Sequence, residues 1–141
     1  MALKIYPAAA PDNPYSQSKT MTNPMRHGFD GRVGRTAETK YYLRNDSASY
    51  SYSSIQIDPV DESGMDITDS NGFSWKLSAG DTQPTSAEWD AITAGVAISM
   101  SAISDISTYL PFWFRIEVPR GASVASYNDV ILRVTAEEIA V

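Results

Sequence analysis

Seven consecutive residues constrain this chain more than any other stretch: Phe112-Trp113-Phe114-Arg115-Ile116-Glu117-Val118. Phe112, Phe114, Ile116 and Val118 share one parity, while Trp113, Arg115 and Glu117 share the other. A period of two sends successive side chains to opposite faces of a strand, so one face here is built for burial and the other for an outer surface. A sheet with one apolar face needs a second layer to cover it.

The rest of the chain supplies that layer. Pro119 and Gly121 break the stretch, and Tyr127 to Thr135 alternates again, with Val130, Leu132 and Val134 on one face. The two stretches read together as a hairpin. Tyr41 to Arg44 and Tyr50 to Ile57 are strand-like, with Tyr50, Tyr52 and Ser54 on one parity and Ile55 and Ile57 on the other. Asn45-Asp46-Ser47 between them is a turn cluster whose short side chains can bond back to the backbone. Asn71-Gly72 marks a tight turn, after which Phe73, Trp75 and Leu77 share a face; Val96, Ile98 and Met100 alternate later. One helix is signalled. Thr85-Ser86-Ala87-Glu88 is a capping box, Trp89 and Ile92 lie three apart on one face, and Gly95 ends it. It is expected to pack over the end of the sandwich by Trp89. Five or six strands and a single short helix predict an all-β, antiparallel β-sandwich.

The first 39 residues read differently. Pro7, Pro11, Pro14 and Pro24, then Gly28, Gly31 and Gly34, favour extended backbone and exclude a long helix. Yet Leu3, Ile5, Tyr6, Tyr15, Met21, Met25 and Phe29 are too apolar for a solvated linker. The expectation is an extended N-terminal arm over 1–39 that orders by docking, followed by a sandwich domain over 40–141. At 141 residues the chain suits one domain. Charge divides similarly: seven cations against three acids in 1–44, four against fourteen beyond. A basic segment leading an acidic body can lie across an acidic protein surface, its own or a neighbour's. Nucleic acid is the poorer fit, because the acidic body repels phosphate.

No catalytic or metal constellation stands out. The chain has no cysteine, which excludes disulfides and thiolate sites. The sole histidine, His27, lies in the Pro/Gly-rich arm, a poor place to hold a base in register. Asp58, Asp61, Glu62, Asp66 and Asp69 lack the spacing of a calcium loop. Asp81, Glu88 and Asp90 could be offered as a carboxylate pair, but Glu88 has a capping role. Gly28-Phe29-Asp30-Gly31-Arg32-Val33-Gly34 is neither a phosphate loop nor a dinucleotide fingerprint. No cofactor, metal, nucleic acid or membrane partner is expected. No secretory leader is seen, and no run approaches the ~20 apolar residues of a membrane span. Trp75 and Trp89 read as core and helix anchor. Trp113, on the outward parity, is covered by its own chain or meets a partner.

From about Thr39 onward the chain resembles small β-sandwich proteins of tailed bacteriophage particles. The residues that carry this are Lys40 to Ser47, Phe73 to Leu77, Thr85 to Trp89 and above all Tyr109 to Ala122 followed by Tyr127-Asn128-Asp129-Val130. A strand, Pro119-Arg120-Gly121-Ala122 and a strand opening Tyr127-Asn128-Asp129-Val130 also resembles the last two strands of immunoglobulin-like domains. The resemblance implies an immunoglobulin-like sandwich and a non-enzymatic virion protein, assembled in the bacterial host cytoplasm. It would be a capsid decoration (cement) protein or a neck or tail component. Its partners would be the major capsid protein or neck and tail proteins, and further copies of itself. The arm residues expected to make the attachment are Ile5, Tyr6, Tyr15, Arg26, Phe29, Arg32 and Arg35. The alternative is a carbohydrate- or receptor-binding module that stacks its ligand on Trp113 with Tyr50 or Tyr52.

Overall fold

The computed structural model describes residues 1–8, 12, 14–15, 35–60, 69–70, 73–118 and 131–141, with backbone alone at 35, 69, 70, 73 and 131. Its elements are β1 (Leu3–Pro7), β2 (Arg35–Asn45), β3 (Tyr50–Val60), β4 (Asp69–Ser70), β5 (Phe73–Ala79), α1 (Ser86–Asp90), β6 (Ile98–Met100), β7 (Leu110–Val118) and β8 (Ile131–Ala140). They form two antiparallel sheets: β1-β2-β7-β5-β4, hereafter the large sheet, and β6-β3-β8, the small sheet. The all-β sandwich expected from the alternation is what forms.

β7 is the hub of the large sheet. It pairs with β2, Tyr41 opposite Phe112, and with β5, Leu77 opposite Phe114. Phe112, Phe114, Ile116 and Val118 are all buried, as their parity requires. Tyr41 and Leu43 of β2, Trp75 and Leu77 of β5, and Leu3 and Ile5 of β1 share that inner face. Tyr52, Ile55 and Ile57 of the small sheet and Ile103 beyond β6 close the core from the other side.

Three connections differ from the reading by alternation alone. β7 and β8 are not a hairpin: β7 lies in the large sheet and β8 pairs with β3 in the small one. The same holds for β2 and β3, where Asn45, 1 % exposed, spans the corner. Its Nδ2 donates to the Tyr50 carbonyl (2.8 Å) and its Oδ1 accepts from the Ser47 amide (2.9 Å). The turn chemistry is as expected, but it turns the chain between sheets. The third concerns β3 itself. Ser54 has φ 50°, and the register with β8 shifts between Ser53 and Gln56. This bulge inserts one residue and re-aims the strand, so Tyr52 and Ile55, of opposite parity, both face the core.

The helix carries the expected capping box, Thr85 Oγ1 accepting from the Glu88 amide and Glu88 Oε1 from the Thr85 amide, each at 3.2 Å. Trp89 is fully buried, but against the outer face of the large sheet and not over the end of the sandwich. Lys76 Nζ donates to its carbonyl (3.1 Å) and Arg115 lies 5.9 Å from its ring.

The N-terminal residues belong to the sandwich. β1 runs antiparallel to β2 with Leu3 opposite Asn45 and Pro7 opposite Tyr41. The Tyr15 amide returns to the Ile5 carbonyl (2.9 Å), and its ring meets Tyr41 edge-on at 5.5 Å. The Ala2 amide donates to the hydroxyl of buried Tyr52 (2.8 Å), which itself donates to Glu138 Oε2 (2.6 Å), tying the start of the chain to β8. β2 begins at Arg35, so a boundary between Thr39 and Lys40 falls inside a strand. Residues 3–7 are thus an edge strand of the chain's own sheet. Pairing with β2 satisfies one side of their backbone, and burial of Leu3 and Ile5 contributes about 1.5–3 kcal/mol each. Deleting Met1 to Thr39 is therefore expected to abolish the cooperative thermal transition seen by circular dichroism. A truncated chain that unfolds cooperatively near the full-length temperature would refute the assignment of β1 to the fold.

Candidate interaction surface

The same alternation that fills the core places a second set of side chains on the outer face of the large sheet. Across β1 and β2, Lys4 stands opposite Arg44 and Tyr6 opposite Tyr42. Across β2, β7 and β5, Lys40, Trp113 and Ser78 form one row, and Glu38, Arg115 and Lys76 the next. Residues directly opposite each other in antiparallel strands sit close enough for their side chains to interact, and here they do so as an ordered chain of cations, rings and acids.

At the β1 end the guanidinium of Arg44 lies between two rings, 4.7 Å from Tyr6 and 4.0 Å from Tyr109. Tyr109, in the segment leading into β7, meets Tyr42 edge-on at 5.6 Å, and Lys40 Nζ lies 5.1 Å from the Tyr42 ring. Lys40 is salt-bridged to Asp81, whose carbonyl accepts from Trp113 Nε1 at 3.1 Å. Beyond Trp113 the face is charge-balanced. Arg115 meets Glu117 (3.0 Å) and Glu38 (3.7 Å), Lys76 meets Glu117 (3.9 Å), and α1 lies over this end through Trp89. The open part is therefore the patch of Tyr42, Tyr109, Lys40 and Trp113, with Tyr109 37 % exposed.

One acid anchors the β1 end. Asp46 accepts a short bond from the Tyr6 hydroxyl and pairs with Lys4 at 2.9 Å. Burial raises the Asp46 carboxyl, but the Tyr6 hydroxyl, the Lys4 ammonium and Arg44 outweigh it and hold it below the usual carboxylate range. The Tyr6 hydroxyl moves the opposite way, pushed up by burial and then by Asp46 itself.

The residues expected to form an attachment arm fall into three groups. Ile5 and Tyr6 are buried, 9 % and 4 % exposed, and Tyr15 is half-buried on Tyr41. These three serve the chain's own sandwich. Arg35 opens β2 opposite Val118. Arg26, Phe29 and Arg32, like His27 and the Gly28–Gly34 stretch, lie outside the described residues. Trp113 is on the outer face, as its parity indicated, where its Nε1 donates to the Asp81 carbonyl. Stacking of a ligand on Trp113 with Tyr52 is overturned, because Tyr52 is 1 % exposed in the core and Trp113 lies in the other sheet.

Among the carboxylates, Glu88 is committed to its cap and Asp81 and Asp90 are exposed. Asp58 is paired with Arg133 at 3.0 Å. Among the described residues no three His, Asp or Glu side chains converge as a metal site. A groove of about 370 Å³ runs between β5 and β6, lined by Leu77, Ile92, Val96 and Ile98 together with Ser78 and Thr93. It has too few converging polar groups to orient a small ligand. Alternation and motif do not single out Tyr42, Arg44 or Tyr109 as site residues. The first two were legible as the outward parity of β2, opposite Tyr41 and Leu43; Tyr109 comes from a loop with no periodicity to reveal it.

The chain matches no protein-family model, and no curated protein and no solved structure is significantly similar to it. What the surface can do must come from its own chemistry. Tyr, Trp and Arg held in fixed rotamers by mutual contact lose little entropy on binding, and they are the residue types that dominate protein–protein hot spots.

The Asp46 anchor gives a pH test. A carboxylate held below its ordinary pKa contributes stability that is complete above the unfolded value, about 3.9, and is lost as pH falls through the lowered folded value. Asp46→Asn should cost up to about 1 kcal/mol at neutral pH, the range for a partly exposed ion pair. In urea titrations the difference from wild type should shrink progressively below pH 4. A cost that is unchanged at pH 2.5 would show that the Asp46 charge is not what stabilises the corner.

Proposed function

We propose that this chain is a non-enzymatic structural protein of a tailed bacteriophage particle, most simply a capsid decoration (cement) protein, that binds neighbouring virion proteins through the outer face of its large sheet. The observation that carries the reading is that face: a partly exposed patch of Tyr42, Tyr109, Trp113 and Lys40 around the half-buried Arg44 clamp. It lies next to the stretch Tyr109 to Ala122 on which the resemblance to phage sandwich proteins chiefly rests. The Met1–Thr39 clamp is narrowed, since residues 3–7 are spent on the fold. Residues 16–34, with Arg26, Phe29 and Arg32, are left as the reach toward a neighbour, in a particle assembled in the host cytoplasm.

Strand pairing supports an immunoglobulin-like relationship by a different route from the sequence, with β7 and β8 in the places of strands E and F and not of the last two strands. β1-β2-β7-β5 corresponds to the A-B-E-D sheet of a constant-type domain, and β3-β8 to its C-F pair. β6 is an addition beside β3, and strand G has no counterpart among the described residues. Of the alternative glycan surface, Trp113 with Tyr50 or Tyr52, Tyr52 lies in the core, whereas Tyr50 is 38 % exposed in the small sheet, on β3.

The test is particle incorporation of two full-length variants. Replacing residues 16–34 by a Gly/Ser linker of equal length should leave thermal unfolding unchanged and abolish incorporation. Tyr109→Ala combined with Trp113→Ala should weaken it by at least tenfold, as for two hot-spot side chains of about 1 kcal/mol or more each. Normal incorporation of both variants would overturn the proposal.

A further inference from the structure

Sheet edges are a hazard that proteins blunt, using short strands, proline, lysine or bulges. Three of the four edges here are treated that way. β1 is five residues long, carries Lys4 and ends at Pro7; β4 has two residues and β6 three. β8 is different. It runs for ten residues, Ile131 to Ala140, without proline or lysine, and among the described residues its only strand partner is β3. The bulge of this pair is on β3, so β8 itself remains regular. Exposed Ile139 and Val141, 59 % and 83 % exposed, stand at its end.

The sequence of β8 is complementary to itself. When two copies pair edge to edge about a two-fold axis perpendicular to the sheet, side chains directly opposite must lie on the same face. Opposed residue numbers therefore share parity, and the axis passes through a residue. Centring on Arg133, Glu137 or Glu138 would set like charges against each other at the axis. Centring on Thr135 sets Thr135 opposite Thr135, Arg133 opposite Glu137 twice, Val134 opposite Ala136, and Ile131 opposite Ile139. The Thr–Thr and Arg–Glu pairs are favourable cross-strand types, by roughly 0.2–1 kcal/mol each relative to alanine. Leu132 opposite Glu138 is the one mismatch. Glu138 is already an acceptor for the Tyr52 hydroxyl within its own chain. Arg133 keeps its bond to Asp58, and with 41 % of its side chain exposed it can meet a second carboxylate.

We infer that β8 is a homodimer edge: two copies join through antiparallel β8–β8 pairing centred on Thr135, extending each small sheet into a continuous six-stranded one. The order would be β6-β3-β8-β8-β3-β6. The inference rests on the edge and its register, and it stands or falls apart from the particle reading. An isologous contact of this kind closes on itself and does not propagate into a fibre.

Because the chain has no cysteine, a single one reports on proximity without interference. Thr135 is exposed in β8, so Thr135→Cys is expected to fold. Opposed residues in antiparallel strands have Cα atoms about 4.5–5.5 Å apart, within disulfide reach. Under mild oxidation Thr135→Cys should convert mainly to a covalent dimer, while Ser99→Cys on the opposite edge strand should stay monomeric. Light scattering of the unmodified protein should show a concentration-dependent dimer, and Thr135→Lys should raise its dissociation constant at least tenfold. Equal cross-linking at the two positions would overturn the inference, as would a wild-type chain that stays monomeric at about 100 μM, since two-fold association weaker than that gives under ~6 kcal/mol.

Discussion

The row of rings across the inner face of the large sheet is the contact on which the rest of the fold depends. Tyr15 meets Tyr41 at 5.5 Å, Tyr41 meets Phe112 at 5.6 Å and Phe114 at 6.3 Å, and Phe114 stacks on Trp75 at 5.9 Å with an interplanar angle of 17°. These contacts join β2, β7 and β5 in a register that a one-residue slip would destroy, because a slip turns every ring to the outer face. The outer surface follows from the same register. Once Tyr41 and Phe112 are fixed inward, Tyr42 and Trp113 have only the outward side to occupy. The Arg44 clamp and the Lys40–Asp81–Trp113 chain are therefore consequences of core packing. Burial of Tyr41 shows in its chemistry: the low-polarity surroundings push its hydroxyl well above the ordinary range for a phenol.

How much of this was legible in the sequence depends on the range of the interaction that decides it. Local signals read correctly. The capping box of Thr85 and Glu88 forms, the short side chains of Asn45 and Ser47 bond back to the backbone, and Ser70 stands opposite Phe73 across Asn71-Gly72. Parity within β5 and β7 also reads correctly, because a strand's period is a property of its own backbone. What alternation does not encode is the partner. β7 and β8 are neighbours in sequence and both alternate, yet they enter different sheets. In β3 the parity itself misleads, since Ser54 in the left-handed region moves Tyr52 and Ile55 to one side. Such a bulge is chosen by the tertiary fit of two bulky residues, and no residue near it announces it. The N-terminal strand was obscured by a different cause: Pro7 directly after Tyr6, with Pro11, Pro14 and Pro24 beyond it, mimics a linker, while the alternation spans only Leu3 and Ile5.

The charge division has a structural meaning that composition leaves open. Lys4 and Lys40, from the basic first part of the chain, pair with Asp46 and Asp81 of the acidic remainder, at opposite ends of one outer face. Arg44 is held by two rings and by Asp12, at 3.4 Å. Much of the basic excess is thus neutralised within the molecule, by placing β1 and β2 beside the loops that carry the acids. Exposed pairs of this kind stabilise little individually. Their effect is to choose among arrangements: β1 in the wrong register would set Lys4 away from Asp46 and Tyr6 away from Arg44. Among the described residues, Glu137 takes no part in these pairs and lies on an exposed stretch of β8. A long edge with a carboxylate two residues beyond Thr135 and a guanidinium two residues before it is neutral to a reversed copy of itself and repulsive to an acidic stranger. If β8 is the dimer edge, this charge pattern favours a reversed copy over an acidic strand at the longest edge among the described residues.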